Sequence, residues 1–392
     1  MDSSSAKSTP MKKDQRESIS LPMKNLTLQE PAEFSSRFLS DYEPVRRLGR
    51  GGFGIVFEAR DKLVDVNYAV KRIPLPSQKK PREKVMFEVR SHAHFDHQHI
   101  VRYYKTWLEA PPVGWQSKTD VWLAEKTGSS ISDPAWTSTY SDCCRTWEGL
   151  DEEESSSGGI HFAQSVSMSE DASVTTTLCS ESLKTCNEEP TVYLYISMEL
   201  CPKGTLKDWM DVKEDRKPEV VNKFFRQICT GVAYIHRQAL IHRDLKPTNI
   251  YLSEDNCIKI GDFGLTTQLC QQVSSPGNDK QKKEQSHGVG TRMYMAPEMV
   301  QAGLPYDSKV DIYSLGVILL EMLIPFNTEA ERSRVLSIIK ESPALLLRYP
   351  ERLGLPWSLL LHEMLDKNPM LRPDACQVLR DGPKTPKPKS SR

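Results

Sequence analysis

The sequence predicts an α+β fold in which a small β-rich lobe precedes a larger helical one, and three observations carry this expectation. From Tyr42 to Ile73, short runs of β-branched and aromatic residues alternate with glycine-rich or polar turns, as sheet strands do. Beyond Cys201 the apolar residues recur at helical spacing, over Leu206–Met210, Val220–Arg237 and Lys309–Leu323. Between these regions, residues 117–189 hold 24 Ser or Thr and 14 acidic residues against four basic ones, a composition that cannot build a core.

Residues 1–33 are rich in Ser, Lys, Gln and Pro without periodicity. They are expected to form a flexible arm, because nothing in them offsets the entropy of ordering the backbone. Strands are expected at Val45–Leu48, Ile55–Ala59 and Tyr68–Ile73, a helix over Lys84–His94, and a further strand over Val101–Glu109. The acidic Ser/Thr-rich segment, set at 115–190, reads as a disordered insertion within one sheet, since the aromatic and β-branched run Val192–Met198 resumes a strand after it. The small lobe and its connection to the large one are thereby placed at 34–201 and the large lobe at 202–381. Residues 382–392 set Pro383, Pro386 and Pro388 among four Lys and Arg residues and read as an extended basic tail.

A chain of 392 residues with 38% apolar content has room for one sizeable domain plus tails or an insertion. Its 52 basic and 52 acidic side chains cancel, which argues against nucleic acid or an anionic membrane as main partner. The nine cysteines lack metal-type pairing, Cys143 and Cys144 being adjacent and the others scattered, and read as reduced thiols of a cytosolic protein. Met1–Ser20 has no apolar core that could serve as a secretory signal. The longest apolar run, Tyr313–Phe326, is too short to span a bilayer and carries Glu321, so a buried helix is expected and no transmembrane segment.

Chemistry is concentrated in a few motifs. Leu48-Gly49-Arg50-Gly51-Gly52-Phe53-Gly54-Ile55-Val56 places glycines where backbone amides can approach phosphate oxygens, although such a cluster between strands can equally be an ordinary hairpin turn. What favours the phosphate reading is Ala69-Val70-Lys71, on a following strand at a spacing that delivers a cation to the same phosphates. Glu88, on the next helix, is the candidate partner for Lys71, with Glu83 as rival. His242-Arg243-Asp244-Leu245-Lys246-Pro247-Thr248-Asn249 is then followed, thirteen residues after Asn249, by Asp262-Phe263-Gly264. Phosphoryl transfer needs a carboxylate to accept the proton of the attacking hydroxyl, a role for Asp244, and hard oxygen ligands for magnesium, a role for Asn249 and Asp262. Lys246 can neutralise charge on the transferred group, and its presence favours Ser or Thr over Tyr as acceptor.

With these motifs, the chain from residue 41 to about 380 resembles the protein kinase superfamily. The resemblance implies a bilobal kinase fold with ATP and Mg²⁺ in the cleft, Met198 at the back of the adenine pocket, and Glu199 to Cys201 as the hinge whose backbone meets adenine. It also makes Ala296-Pro297-Glu298 the close of the activation segment, Arg372 the ion-pair partner of that motif, and Asp311 a brace for the catalytic loop. A pseudokinase scaffold is the rival from another class, but such a chain normally lacks Lys71, Asp244 or Asp262, and all three are present.

Within the superfamily, Val101–Pro112, Tyr193–Cys201, Leu206–Met210 and Pro325–Arg332 resemble kinases of the alpha subunit of eukaryotic initiation factor 2. The likeness is strongest to the PKR-like endoplasmic-reticulum member, with the haem-regulated member next. It implies a cytoplasmic protein that represses translation under stress, with another Ser/Thr substrate as alternative. It further implies a homodimer through the small lobes, with Arg37, Asp41 and Tyr68 at the contact, although Arg37 and Asp41 could equally form a pair within one helix. Thr291, and secondarily Ser286, are the implied regulatory phosphorylation sites, with Arg243 as a cationic partner.

Overall fold

The computed structural model describes residues 34–51, 54–127, 191–212, 216–262, 292–300, 306–348 and 353–382. Ser36 accepts the Leu39 N–H (3.4 Å) and so starts a one-turn helix α1 (Arg37–Asp41), which buries Phe38. Strands β1 (Tyr42–Gly51), β2 (Gly54–Asp61) and β3 (Val66–Pro74) follow as an antiparallel meander. Then come helix α2 (Lys79–Ala93), strand β4 (Tyr103–Glu109), helix α3 (Trp115–Lys126) and strand β5 (Tyr193–Met198). The sheet order is β1-β2-β3-β5-β4, so β5 closes between β3 and β4.

Alternation along these strands supplies two cores, one on each face of the sheet. One is aromatic: Trp107 stacks on Tyr42 (5.8 Å) and on Tyr195 (5.2 Å), with Phe38, Phe57 and Leu123 packed alongside. The other is aliphatic and joins Ile73, Leu194 and Ile196 to Val85 and Val89 of α2.

Helix α3 corrects the expected extent of the insertion, which was set to begin at 115. Trp115–Lys126 carries two acidic and two basic residues, so the acidic excess of the wider window comes from further along. Two forces fix this segment on the sheet. Leu123 and Ala124 are fully buried. Asp120 meets the buried Arg72 of β3 with two hydrogen bonds of 2.7 Å, a bidentate fork that neutralises a guanidinium with little access to water. Burial pushes the Arg72 pKa down, but the Asp120 carboxylate more than reverses this.

The large lobe is built around α5 (Pro218–Arg237) and α7 (Lys309–Leu323), which follow the short α4 (Leu206–Val212) and the one-turn α6 (Pro297–Val300). Helix α5 is amphipathic, with a proline at its first turn and one buried face. In contrast, α7 is buried on every side from Val310 to Met322, which explains its nearly continuous apolar sequence. Its Glu321 is tolerated because Arg332 of α8 (Glu329–Glu341) reaches it at 2.5 Å and the Tyr294 hydroxyl donates to it at 2.7 Å. Helices α9 (Leu355–Met364) and α10 (Ala375–Asp381) close the base. Between α5 and α7, the hairpin of β6 (Ile250–Leu252) and β7 (Ile258–Ile260) holds the intervening loops against the small lobe, the Val101 N–H donating to the Ile260 carbonyl (2.8 Å). No helix among the described residues is long and apolar enough to cross a membrane.

Candidate active site

A cleft of about 400 Å³ lies where the two lobes meet. Leu48 and Gly49 of β1, Val56 of β2 and Ala69 of β3 line it from the small lobe, and Met198, Glu199 and Cys201 from the connection. Lys246, Asn249 and Asp262 line it from the large lobe. Several other predicted residues sit elsewhere. Ile55 packs against the aromatic core of the sheet, Arg50 and Gly51 are described only as backbone of β1, and Gly52 and Phe53 lie outside the described residues. A Cβ on Gly54 would lie 1.9 Å from the Arg72 carbonyl oxygen, so the β2–β3 pairing itself demands glycine there. Leu200 of the predicted hinge and Thr248 of the catalytic motif line the cleft as well, and Val101, Thr205, Tyr251 and Gly261 do so without having been given a role there from the sequence.

Lys71 stands opposite Val56 on one side and Ile196 on the other, in the middle of three paired strands. Its ammonium contacts Asp262 Oδ1 directly. Glu88 lies on α2, but its side chain, like Phe263, Gly264, Ser286 and Thr291, is outside the described residues. The second oxygen of Asp262 accepts the Tyr251 hydroxyl at 2.7 Å. Burial raises the Asp262 pKa, but the charge and hydrogen bond of Lys71 and the hydroxyl of Tyr251 outweigh it, so the carboxyl titrates below its ordinary range.

The loop carrying Asp244 is braced from beneath. Asp311, fully buried at the start of α7, accepts the N–H groups of His242 (2.9 Å) and Arg243 (2.8 Å) and the His236 Nε2–H (2.8 Å). Burial pushes the Asp311 carboxyl pKa up, and the His236 hydrogen bond, with the charges and amides around it, brings it below normal. His242 is buried, and its pKa is lowered by that burial. As a neutral ring it accepts the Asp244 N–H at Nδ1 (3.3 Å) and donates from Nε2 to the Gly261 carbonyl (3.1 Å). One imidazole therefore links the residue before Asp262 to Asp244. Arg243 (φ 69°) and Asp262 (φ 50°) both hold left-handed backbone, a costly conformation for non-glycine residues that the surrounding bonds maintain.

Asp244 Oδ2 accepts Lys246 Nζ at 2.8 Å and Asn249 Nδ2 at 2.9 Å, which gathers a carboxylate, a cation and an amide at the mouth of the cleft. With its amino group turned to Asp244, Asn249 is left with its carbonyl oxygen as a hard ligand. The Glu199 N–H donates to the Arg102 carbonyl (2.8 Å) and its side chain pairs with Lys259 (2.8 Å), so what Glu199 offers a ligand is its carbonyl. Burial and the neighbouring Glu199 charge push the Cys201 thiol up to about 12, which keeps it protonated. An apolar slot flanked by peptide groups, continuing to two lysines and two oxygen donors, fits a nucleotide with its metal ion.

Further out, Arg372 is buried and forks onto Glu298 (2.5 and 2.9 Å) while its guanidinium lies 4.9 Å from the Tyr313 ring centroid. Arg37 and Asp41 make an exposed pair at 3.1 Å within α1, and Tyr68 packs edge-on against Tyr104 (5.2 Å).

A protein kinase domain matches residues 42–126 and 174–382. The chain belongs to the protein kinase family. Among curated proteins, the kinase is similar to eukaryotic translation initiation factor 2-alpha kinase 3 of Bos taurus, 31% identical with 89% of this chain and 44% of that protein covered. It is 33% identical to the eIF-2-alpha kinase GCN2 of Schizosaccharomyces pombe, over 90% of this chain and 24% of that protein. It is 31% identical to the interferon-induced, double-stranded RNA-activated protein kinase of Rattus norvegicus, over 90% of this chain and 54% of that protein. The kinase thus spans less than half the length of the first two relatives and about half of the third.

Proposed function

We propose that this kinase transfers the γ-phosphoryl group of ATP to a serine or threonine of a protein, the alpha subunit of initiation factor 2, and thereby represses translation under stress. The observation that carries the reaction is the bracketing of Asp244 by Lys246 and Asn249 within 2.9 Å. Asp244 orients the acceptor hydroxyl and takes its proton as the oxygen attacks. Lys246 then neutralises charge that develops on the transferred group, while Lys71 holds the nucleotide phosphates. Met198, Ala69, Val56 and Leu48 enclose the adenine, and the Glu199–Cys201 backbone orients it. Asn249 and Asp262 would hold Mg²⁺, which when bound shields the phosphate charges from the incoming oxygen. The names of the relatives support the choice of substrate, and a cytoplasmic location is part of the same proposal.

The test is phosphate transfer from ATP and Mg²⁺ to the purified alpha subunit, with Asp244→Asn as control. Transfer that disappears in the variant supports chemistry and substrate together. Autophosphorylation without transfer to the factor would retain the kinase and remove the substrate.

Two regulatory features accompany this reading. Within one chain Arg37 and Asp41 pair with each other along α1, but both are open enough to exchange partners with a second copy about a two-fold axis, and such an exchange would give a dimer of small lobes with Tyr68 at its edge. Asp41→Arg should then shift sedimentation from dimer to monomer, and an unchanged profile excludes this interface. Thr291, with Ser286 second, is proposed as the activating phosphorylation site. Mass mapping of active protein with neither residue modified would remove that switch.

A further inference from the structure

Tyr251 belongs to no motif that the sequence offers, yet it touches the group on which metal binding depends. Its backbone is fixed in β6 opposite Lys259 of β7. Its ring packs at the large-lobe side of the cleft against the cluster of Ala69, Val101 and Met198. The ring also fills the space beside Gly261, where a Cβ would come within 3.0 Å of Tyr251 Cε2 and 2.9 Å of Val101 Cγ2. From this position the hydroxyl reaches Asp262 Oδ2 at 2.7 Å.

The contact constrains Asp262 at a point where its own backbone does not. Asp262 sits at φ 50°, and its carboxylate is held between Lys71 on Oδ1 and Tyr251 on Oδ2. A carboxylate offers about four lone-pair sites, and these two donors occupy two of them, so room for a cation remains while the orientation of the group is set. Partners of a metal-binding carboxylate fix its direction and change metal affinity when removed. An ionised carboxylate can only accept, and the Tyr251 hydroxyl is the donor it receives from the floor of the cleft.

We propose that Tyr251 is a positioning residue for metal binding, its hydroxyl holding the Asp262 carboxylate in the orientation that receives the nucleotide-bound divalent ion. This rests on the assignment of Asp262 as a metal ligand. The ring and the hydroxyl have separate tasks: the ring shapes the apolar slot, and the hydroxyl acts through Asp262 on the metal.

The experiment is calorimetric titration of the whole chain with adenylyl imidodiphosphate, once with EDTA and once with saturating Mg²⁺, so that the readout is binding rather than turnover. In Tyr251→Phe the strengthening of nucleotide binding by Mg²⁺ should fall about tenfold, while the EDTA affinity stays within about twofold of the parent. Tyr251→Leu, which removes the ring as well, should weaken binding under both conditions. Asp262→Asn should abolish the strengthening. A Tyr251→Phe protein that is strengthened by Mg²⁺ as much as the parent, or more, overturns the proposal while Asp262→Asn still confirms the ligand. If Asp262→Asn retains the effect, the metal assignment fails and the role of Tyr251 falls with it. Thermal melting of each variant, compared with the parent, identifies loss of fold as the cause of any loss of binding.

Discussion

Asp311 and Gly54 make the case at the scale of single residues. Asp311 contributes nothing to the reacting atoms, but three donors converge on its carboxylate, two of them backbone groups of the loop that presents Asp244. Asp311→Ala leaves these donors without an acceptor in a buried site, and should cost about 3–5 kcal/mol of stability, read by urea denaturation. Asp311→Asn, which keeps one oxygen, should cost less. Gly54→Ala places a methyl where the Arg72 carbonyl oxygen already lies, so it should break the β2–β3 register and lower the melting temperature, an effect unrelated to phosphate contact. The glycine motif was legible in the sequence, but this second reason for one of its glycines was not, because the clash comes from a different strand. Tyr251 was hidden for a similar reason. It occupies an ordinary position in a three-residue strand, and only the folding of that strand against Gly261 and Asp262 gives its hydroxyl a partner.

At the scale of elements, α3 and α8 each tie a distant segment to the core. Helix α3 neutralises Arg72, and Asp120→Ala should destabilise the small lobe by about 3–5 kcal/mol, because a buried guanidinium is left without its carboxylate. Leu123→Ala should cost about 2–5 kcal/mol through the cavity it leaves. Near-parental melting curves for both variants would mean that α3 is not part of the folded lobe. Helix α8 begins at Thr328, whose hydroxyl accepts the Glu331 N–H (3.1 Å), and it grips the segment just before Ala296 at two points. Arg332 donates to the Tyr294 hydroxyl (2.7 Å), and Lys340 Nζ donates to the Met293 carbonyl (2.9 Å). Burial lowers the Lys340 pKa by disfavouring its charge, and the carbonyls it meets are the acceptors that offset this cost. Lys340→Met should therefore weaken phosphate transfer to a protein acceptor several-fold while leaving nucleotide affinity near parental, measured by steady-state kinetics and by nucleotide titration. Equal loss of both would place the effect on the fold as a whole. The sequence pointed to the start of α8 through a resemblance, but neither cation reveals its target in the sequence: Lys340 meets a carbonyl 47 residues away, which carries no side-chain signal, and Arg332 meets a tyrosine hydroxyl 38 residues away that only the fold brings near.

For the whole molecule, the histidines set the response to acid. His92, with a pKa lowered to about 3, and His97, His99 and His242 are all shifted down chiefly by burial. Unfolded, each titrates near about 6.5, so below that pH the unfolded chain takes up protons that the folded one refuses. Their stabilising contribution is therefore present above about pH 6.5 and is lost as pH falls toward the lowered values. The free energy of unfolding should decline from pH 7.5 to 5.5. Urea titrations across that range check it, and a flat profile would show that these rings charge freely in the folded state.

The sequence by itself determined the α+β class, the order of the main strands and helices and the residues of the phosphate-transfer motifs. Those features are local: a strand, an amphipathic helix or a catalytic loop is encoded in neighbouring residues. Only the tertiary structure decided that Trp115–Lys126 folds onto the sheet, that Lys71 meets Asp262, and that Tyr251 meets the same carboxylate from below. Each of these joins segments far apart in the chain, where a buried charge or hydroxyl must find a partner, and the partner is chosen by packing rather than by sequence distance.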